Sequence, residues 1–283
     1  MRPLSRRGFI KSSIIFSILP FASYAKDVSK VSETLKFIHI TDSHLDLADE
    51  SSVEALESMV KFLNKNYKNL DFVLFGGDNF NNNVPKATDA IKFKDIISKL
   101  NSPYYVVRGN KESSPHPKGD SINLDEFKDM FMSDKSLTVN KKDWLLSTKG
   151  YNILGLDSCI ENANNGLYEE DTIKFAQKVL DNKKPTVILN HHPYTNYWKG
   201  TEEKDIHKYV LNNSKDVQKR LFSYPNLILT LSGHKHIDSV TTINNTKVIV
   251  TRGFVRPLDL DNYPLRFVEI KGKDISEKLI YTT

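Results

Sequence analysis

Side chains that bind metal ions follow five apolar segments of this 283-residue sequence. They are Asp42-Ser43-His44, Gly77-Asp78, Gly109-Asn110, Asn190-His191-His192 and Gly233-His234-Lys235-His236. Taken singly, an Asp after a strand is more often a turn or a helix cap, and a lone His is more often a packed ring. Their repetition at five segment ends indicates a shared metal site.

The segments that must position these residues alternate between strand-like and helix-like patterns, which is typical of an α/β chain with buried strands. The strand-like runs are 36–44, 71–78, 103–110, 151–158, 185–192, 226–234 and 247–253. Helical faces are formed by Val53, Leu56, Met59, Val60, Leu63 and Tyr67, and by Ile173, Ala176 and Leu180. Ligand sites in such sheets lie beyond the carboxyl ends of the strands, where the polar residues occur.

The spacing of two motifs predicts how their side chains converge. Asp42 and His44 are two residues apart, so an extended backbone would turn both side chains to the same side. The same reasoning applies to His234 and His236. Glycines beside the motifs would let the backbone pass close to metal ions without side-chain crowding; they are Gly76, Gly77, Gly109 and Gly233.

The ordered series D-x-H, G-D, G-N, H-x-P and G-H-x-H resembles the motif series of the calcineurin-like metallophosphoesterases. It extends from about residue 36 to about residue 252. The resemblance implies an α/β fold, a four-layer αββα sandwich in which two mixed β-sheets pack face to face between helices. It also implies hydrolysis of phosphate mono- or diesters by a hydroxide that bridges two metal ions.

The resemblance assigns a role to each motif residue. One ion would be held by Asp42, His44 and His236, the other by Asn110, His191 and His234, and Asp78 would bridge them. The family's ligand lies two residues before the proline, which favours His191 over its neighbour His192. Imidazole-rich sites suit Fe, Mn, Zn or Co, and a bridging carboxylate offsets the repulsion between two cations.

Lys111 occupies the position where most members of this family carry a histidine. We interpret Lys111 as a candidate catalytic residue, together with Asp78 and Asn110. A lysine can contact a phosphate as a point charge, but it is a poor proton donor and acceptor at neutral pH unless it is desolvated. The substitution leaves open a catalytically weak protein with a binding role. Glu112 is interpreted either as a partner of Lys111 or as a solvated loop charge.

The N-terminus has the composition of a bacterial export signal. Residues 1–25 combine a basic start, a short apolar stretch and small residues at Ser23 and Ala25, as a signal peptidase prefers. The run Ser5-Arg6-Arg7-Gly8-Phe9-Ile10-Lys11 resembles the twin-arginine signal. An ordinary secretory signal or an uncleaved anchor is the alternative. We expect residues 26–283 to form one metallophosphoesterase domain, which the twin-arginine machinery exports to the periplasm or the medium.

Charge and cysteine content exclude several classes of protein. The sequence has a net charge of +5, but residues 1–25 contain four basic side chains and no acidic one, which leaves +1 for the remainder. A nuclease of the same superfamily is therefore an unsupported alternative, and the expected partner is a small phosphate ester. The single Cys159 rules out an internal disulfide and a cysteine-rich zinc site. The apolar stretch before residue 25 is too short for a stable membrane span.

Overall fold

The computed structural model describes residues 31–81, 87–113, 122–195, 202–255 and 263–282. The strands are β1 (Thr34–Ile40), β2 (Phe72–Phe75), β3 (Tyr104–Val106), β4 (Leu137–Asn140), β5 (Asp143–Thr148), β6 (Tyr151–Gly155), β7 (Thr186–Leu189), β8 (Leu227–Ser232), β9 (Ser239–Ile243), β10 (Thr246–Val250), β11 (Pro264–Lys271) and β12 (Asp274–Tyr281). The helices are α1 (Glu50–Asn66), α2 (Thr88–Ile97), α3 (Asn110–Ser113), α4 (Leu124–Phe131), α5 (Glu170–Leu180) and α6 (Ser214–Leu221), with a 3₁₀ helix at Glu203–Lys208.

The strands form two mixed sheets. The first has the order β12-β11-β1-β2-β3 and the second β4-β5-β6-β7-β8-β10-β9. In the first sheet β1, β2 and β3 are parallel, and in the second β6, β7, β8 and β10 are parallel. The antiparallel strands lie at the margins of both sheets. The carboxyl ends of the parallel strands therefore lie at one edge of each sheet, where the loops that follow these strands can meet.

Alternate side chains of the second sheet face different layers of the fold. In β7, Val187 joins the apolar cluster that includes the first sheet and helices α1, α2 and α4. Its neighbour Ile188 joins the cluster formed with helices α5 and α6. Since successive residues of a strand point to opposite faces, the second sheet lies between the first sheet and these two helices. This arrangement confirms the expected four-layer sandwich.

Helix α1 shows how local sequence places these layers. Asp49 caps it by accepting a hydrogen bond from the Ser51 amide, which satisfies one of the free donors at a helix start. Its predicted apolar face is buried at Leu56, Met59 and Leu63. Among the described residues, no helix has the length and apolarity needed to cross a membrane.

The seven predicted strands correspond to β1, β2, β3, β6, β7, β8 and β10. The sequence pattern missed β4, β5, β9, β11 and β12, which form the margins of the sheets. In β12, exposed and half-buried residues alternate without a fully buried position. Such a strand lacks the continuous apolar run by which the central strands are recognised.

His39 in β1 is a buried neutral histidine with a structural role. Its Nδ1 is 2.9 Å from Thr251 Oγ1. Burial, with a further contribution from the charge of Arg266, lowers the pKa of His39 from 6.5 to about 3. Below pH 6.5 the unfolded chain takes up a proton here that the folded chain does not. Folding stability therefore falls as the pH drops, by at most about 1.4 kcal/mol per pH unit from this residue.

We expect the His39→Gln variant to lose less stability on acidification than the wild type. Between pH 7 and pH 5 the decrease in the free energy of unfolding should be smaller by about 2 kcal/mol, because one proton uptake by the unfolded chain is removed. Urea unfolding at the two pH values measures both decreases. Equal decreases in the two proteins would contradict the neutral state of His39.

Candidate metal centre

The predicted ligands follow β1, β2, β3, β7 and β8, so they come from both sheets. Backbone hydrogen bonds continue past the strand ends and hold the loops in register. The amide of Asp42 donates to Gly77 O at 2.9 Å, and the amide of His44 donates to Asp78 O at 2.9 Å. In the second sheet, the amide of Gly233 donates to His191 O at 3.0 Å.

Five of the predicted ligands have a left-handed backbone, with φ between 41° and 68°: Asp42, His44, Asp78, His234 and His236. The expectation that D-x-H and H-x-H lie in extended segments is therefore wrong. Their side chains converge because each ligand residue turns the chain, and such a conformation costs of order 1–3 kcal/mol for a residue other than glycine. Strained residues of this kind cluster at functional sites.

Two glycines allow the ligand loops to approach one another. A Cβ atom on Gly109 would lie 2.3 Å from Asp78 Oδ1. A Cβ on Gly233 would lie 1.9 Å from Thr41 Oγ1 and 2.3 Å from Asp42 Oδ2. No side chain tolerates these separations, so the backbone at both positions passes directly against the ligand carboxylates.

The first ligand set brings together Asp42, His44 and His236, as the resemblance implies. The Nε2 atoms of His44 and His236 are 3.1 Å apart, and His236 Nε2 is 3.2 Å from Asp42 Oδ1. Asn81 accepts a hydrogen bond from His44 Nδ1 at 2.9 Å. With its proton on Nδ1, His44 turns the lone pair of Nε2 toward His236 and Asp42.

The second ligand set is built around His191. Its Nδ1 donates to Gly76 O at 3.0 Å, and its Nε2 lies 3.2 Å from Asn110 Oδ1, so Nε2 is the nitrogen that can bind a metal once its proton is displaced. The rings of His191 and His234 are 5.1 Å apart. His234 Nε2 donates to Lys208 O at 3.2 Å, which leaves Nδ1 of His234 as the nitrogen that can bind a metal.

His192 lies close enough to His191 and His234 to share an ion with them, but both of its ring nitrogens are engaged. Ser158 Oγ lies 2.8 Å from His192 Nδ1. His192 Nε2 is 3.2 Å from Asn164 O, which can only accept. Since neither nitrogen keeps a free lone pair, these hydrogen bonds favour His191 over His192 as the ligand.

Asp78 lies between the two sets. Its Oδ2 is 3.8 Å from His44 Nε2, and its Oδ1 is 3.4 Å from His191 Nε2 and accepts from the Lys111 amide at 2.8 Å. Burial raises the pKa of Asp78, but His191, His44 and the amide together lower it well below its usual value. Burial lowers the pKa of His191, and Asp78 outweighs this and raises it to about 9.

The donor atoms fit metal ions. Two atoms held about 2.1 Å from one ion lie roughly 3.0 to 3.4 Å apart when the coordination is octahedral or tetrahedral. The separations of 3.1 and 3.2 Å in the first set and of 3.2 and 3.4 Å around His191 fall in this range. His44 Nε2 lies farther from the two carboxylates, 3.9 Å from Asp42 Oδ1 and 3.8 Å from Asp78 Oδ2, and would have to move closer on binding an ion. The seven side chains stay predicted ligands, and the structure places them where two ions could share Asp78.

Glu112 is buried, so its interpretation as a solvated loop charge is wrong. It is 1% exposed, and its carboxylate accepts hydrogen bonds from four backbone amides: Gly109 at 2.6 Å, Asp78 at 3.1 Å, Asn79 at 2.6 Å and Phe80 at 3.2 Å. Burial and the charge of Asp78 raise the pKa of Glu112 to about 7 despite these amides. Glu112 therefore fastens the Asp78 loop to the Asn110 loop and is not a solvated loop charge.

Other residues beside the motifs serve the fold. Arg108 is buried and pairs with Asp157 at 2.6 Å. Asn79 donates from its side chain to Val107 O at 3.0 Å, and the Tyr194 hydroxyl is 2.6 Å from that of Tyr168. These contacts favour loop packing over substrate contact. Tyr197 and Trp198, which follow the H-x-P motif, lie outside the described residues.

Lys235 and Tyr209 border the second ligand set and were not singled out by sequence reasoning. Lys235 lies between two predicted ligands, and its Nζ is 3.0 Å from the centroid of the Tyr209 ring. Burial lowers the pKa of Lys235 to about 7, although Asp42 raises it. The signal in the sequence is a lysine inside the G-H-x-H motif.

Comparisons with known proteins agree with this geometry. The family model for calcineurin-like phosphoesterases matches residues 35–238. The probable glycerophosphodiester phosphodiesterase GpdQ of Arcobacter nitrofigilis is 24% identical over 221 residues, which is 75% of each chain.

Solved structures share the fold at low identity. A dimetal phosphatase from Danio rerio has a TM-score of 0.62 at 13% identity, and the match covers 88% of this chain and 99% of that one. The purple acid phosphatase PPD1 from yellow lupin, Lupinus luteus, has a TM-score of 0.60 at 14% identity, with 89% of this chain and 52% of that one covered. With the family model spanning residues 35–238, the chain belongs to the calcineurin-like phosphoesterases and is a phosphoric ester hydrolase.

Proposed function

We propose that this protein is an exported phosphoesterase that uses two metal ions to hydrolyse small phosphate esters, with diesters as its main substrates. The observation that carries the proposal is the position of Asp78, which lies 3.8 Å from His44 in one ligand set and 3.4 Å from His191 in the other. The preference for diesters is supported by the 24% identical relative from Arcobacter nitrofigilis, a probable glycerophosphodiester phosphodiesterase.

Metal ions held by these residues would supply positive charge and lower the pKa of water to about 7. The chain itself contributes two carboxylates whose orientation is fixed. Asp42 and Asp78 are buried, and each accepts a backbone amide, from His234 at 2.9 Å and from Lys111 at 2.8 Å. These amides keep both carboxylates oriented, so little reorganisation is needed when charge develops on the substrate. Fe, Mn, Zn or Co suits this mixture of nitrogen and oxygen donors.

Lys111 would act on the phosphate of the substrate. Its backbone amide is committed to Asp78 at 2.8 Å, and its side chain is half-buried at the start of α3. An ammonium group there can pair with a phosphate oxygen, but a lysine donates a proton to a leaving alkoxide less readily than a histidine does. We infer that the enzyme favours esters with good leaving groups.

The Lys111→His variant tests this inference. We expect it to keep its metal content, because the backbone amide that bonds Asp78 is retained. Its kcat for methyl phosphodiesters should rise relative to p-nitrophenyl phosphodiesters, by roughly tenfold or more, because an imidazole can protonate the poor leaving group. Metal analysis and paired rate measurements provide the ratio. An unchanged ratio at full metal content would show that position 111 does not act on the leaving group.

The proposed activity is tested by rates with bis-p-nitrophenyl phosphate and p-nitrophenyl phosphate, using purified protein loaded with Mn²⁺. We expect turnover of both and a higher kcat/KM for the diester. A higher value for the monoester would contradict the diester preference. Failure to turn over either ester, in a protein that binds two metal ions, would favour the alternative of a binding role.

Export is a separate part of the proposal, supported by the twin arginines Arg6 and Arg7 and the apolar stretch after them. A reporter protein fused behind residues 1–30 should reach the periplasm of a bacterium that has the twin-arginine machinery. Changing Arg6 and Arg7 to lysine should retain the reporter in the cytoplasm. Export that is unaffected by this change would indicate an ordinary secretory signal.

A further inference from the structure

Lys235 is a buried lysine beside the candidate metal centre, and an anion bound next to it would favour its charged form. It is 7% exposed and lies between the predicted ligands His234 and His236. Its described contact is with the ring of Tyr209, whose centroid is 3.0 Å from Nζ. Within the part of the chain that the structure describes, no carboxylate lies within salt-bridge distance of Lys235 and no hydrogen bond engages its ammonium group.

This environment is unusual for a lysine. Burying an ammonium group is costly unless a negative group or hydrogen-bond acceptors surround it. The face of Tyr209 offsets part of this cost by a cation–π interaction. Lys92 shows the ordinary arrangement, with Glu57 2.8 Å away and a third of its side chain exposed. The positive charge of Lys235 is therefore not neutralised by a carboxylate of the described residues, and an anion from outside the protein would neutralise it.

Lys235 and Tyr209 lie beside the predicted ligand His234. Tyr209 follows the 3₁₀ helix at Glu203–Lys208, and the carbonyl of Lys208 accepts from His234 Nε2 at 3.2 Å. Asp42, the acidic group whose charge acts on Lys235, is already committed to the His234 amide at 2.9 Å and to His236 at 3.2 Å. An anion that pairs with Lys235 would thus lie next to a substrate held at the second ligand set.

We propose that Lys235 and Tyr209 form a subsite for a second negatively charged group of the substrate, separate from the phosphate that is cleaved. Two metal ions held by the ligand sets and Lys111 would already match the charge of that phosphate, so a further buried ammonium group is best matched by another anion. The preferred esters are those whose alcohol carries a carboxylate or a second phosphate, and alcohols with an ammonium group are disfavoured. This inference rests on the proposed phosphoesterase function.

Binding of three phosphonates to the metal-loaded protein tests the subsite without requiring turnover. They share one head group and differ in the charge at the other end: 3-phosphonopropionate is negative, butylphosphonate is neutral and 2-aminoethylphosphonate is positive. In the wild type we expect 3-phosphonopropionate to bind roughly tenfold more tightly than butylphosphonate, as a charge-assisted contact would produce. The aminoethyl compound should bind most weakly.

Variants then test whether Lys235 causes the preference for the negative phosphonate. Lys235→Met should bring the Kd values of the negative and neutral phosphonates to within about twofold, whereas Lys235→Arg should keep most of the difference. Lys278→Met is the matched control, because Lys278 also lies over an aromatic ring, that of Phe267, but on β12. It should behave as the wild type. Calorimetric titration gives all the Kd values.

Three results would overturn the subsite: no preference for the negative phosphonate in the wild type, an unchanged preference in Lys235→Met, or equal weakening of all three phosphonates in that variant. The last result would mean that Lys235 acts on the shared head group or on the fold. Hydrolysis of methyl p-nitrophenyl phosphate by the wild type is measured in parallel. Its absence, together with an intact charge preference, would refute the proposed activity and leave the subsite standing.

Discussion

Replacing Asp78 with alanine is expected to abolish hydrolysis and to reduce the metal content from two ions to one or none. Asp78 is the carboxylate that lies within 3.8 Å of His44 and 3.4 Å of His191, so both ligand sets lose it together. Several kcal/mol of charge stabilisation would disappear, which corresponds to a decrease in kcat/KM of roughly a thousandfold or more. Elemental analysis and rates with bis-p-nitrophenyl phosphate measure the two losses.

The matched control is Asp125→Ala, since the side chain of Asp125 is 86% exposed. This variant should keep the metal content and rate of the wild type. Circular dichroism of Asp78→Ala shows whether the variant folds, and Asp78→Asn provides a second version of nearly the same shape. If either folded Asp78 variant hydrolysed the diester as fast as the wild type, the proposed metal centre would be wrong.

Replacing Glu112 with alanine is expected to cause the second largest effect, and to act first on stability. The four amides that Glu112 accepts belong to the loops carrying Asp78 and Asn110. Without the carboxylate these donors lose their partner inside the protein, which costs about 3 kcal/mol or more. For a chain of this size the melting temperature should fall by about 6–12 °C, and metal affinity should fall with it because the two loops separate.

The Glu112→Gln variant tests whether the four hydrogen bonds to Glu112 stabilise the two loops, or whether filling the buried space is enough. Oε1 of Glu112 accepts from Asn79 and Phe80, whereas Oε2 accepts from Asp78 and Gly109. A glutamine has nearly the same shape but can accept at only one of these positions, and its amide group would face donors at the other. We expect it to lose at least half of the stability lost by Glu112→Ala. A glutamine variant as stable as the wild type would show that the four hydrogen bonds contribute little.

The sequence by itself determined the chemistry of the site. The candidate metal ligands after β1, β2, β3, β7 and β8 could be recognised because each central strand is a short apolar run that ends in polar residues. Parallel strands place their carboxyl ends at one edge, so these residues were expected to meet. The marginal strands β9 and β12 were missed because they have no fully buried residue and are held by pairing with their neighbours.

The tertiary structure decided which residues meet and with what geometry. His44 and His236 approach to 3.1 Å across 192 positions of sequence, a pairing that no local pattern specifies. The left-handed backbone at Asp42 and Asp78 depends on loops that are hydrogen-bonded to one another. Local preference alone would disfavour this conformation. Only the tertiary structure showed that Glu112 is buried among backbone amides and that Lys235 lies against Tyr209, because the surroundings of both charged side chains come from distant segments.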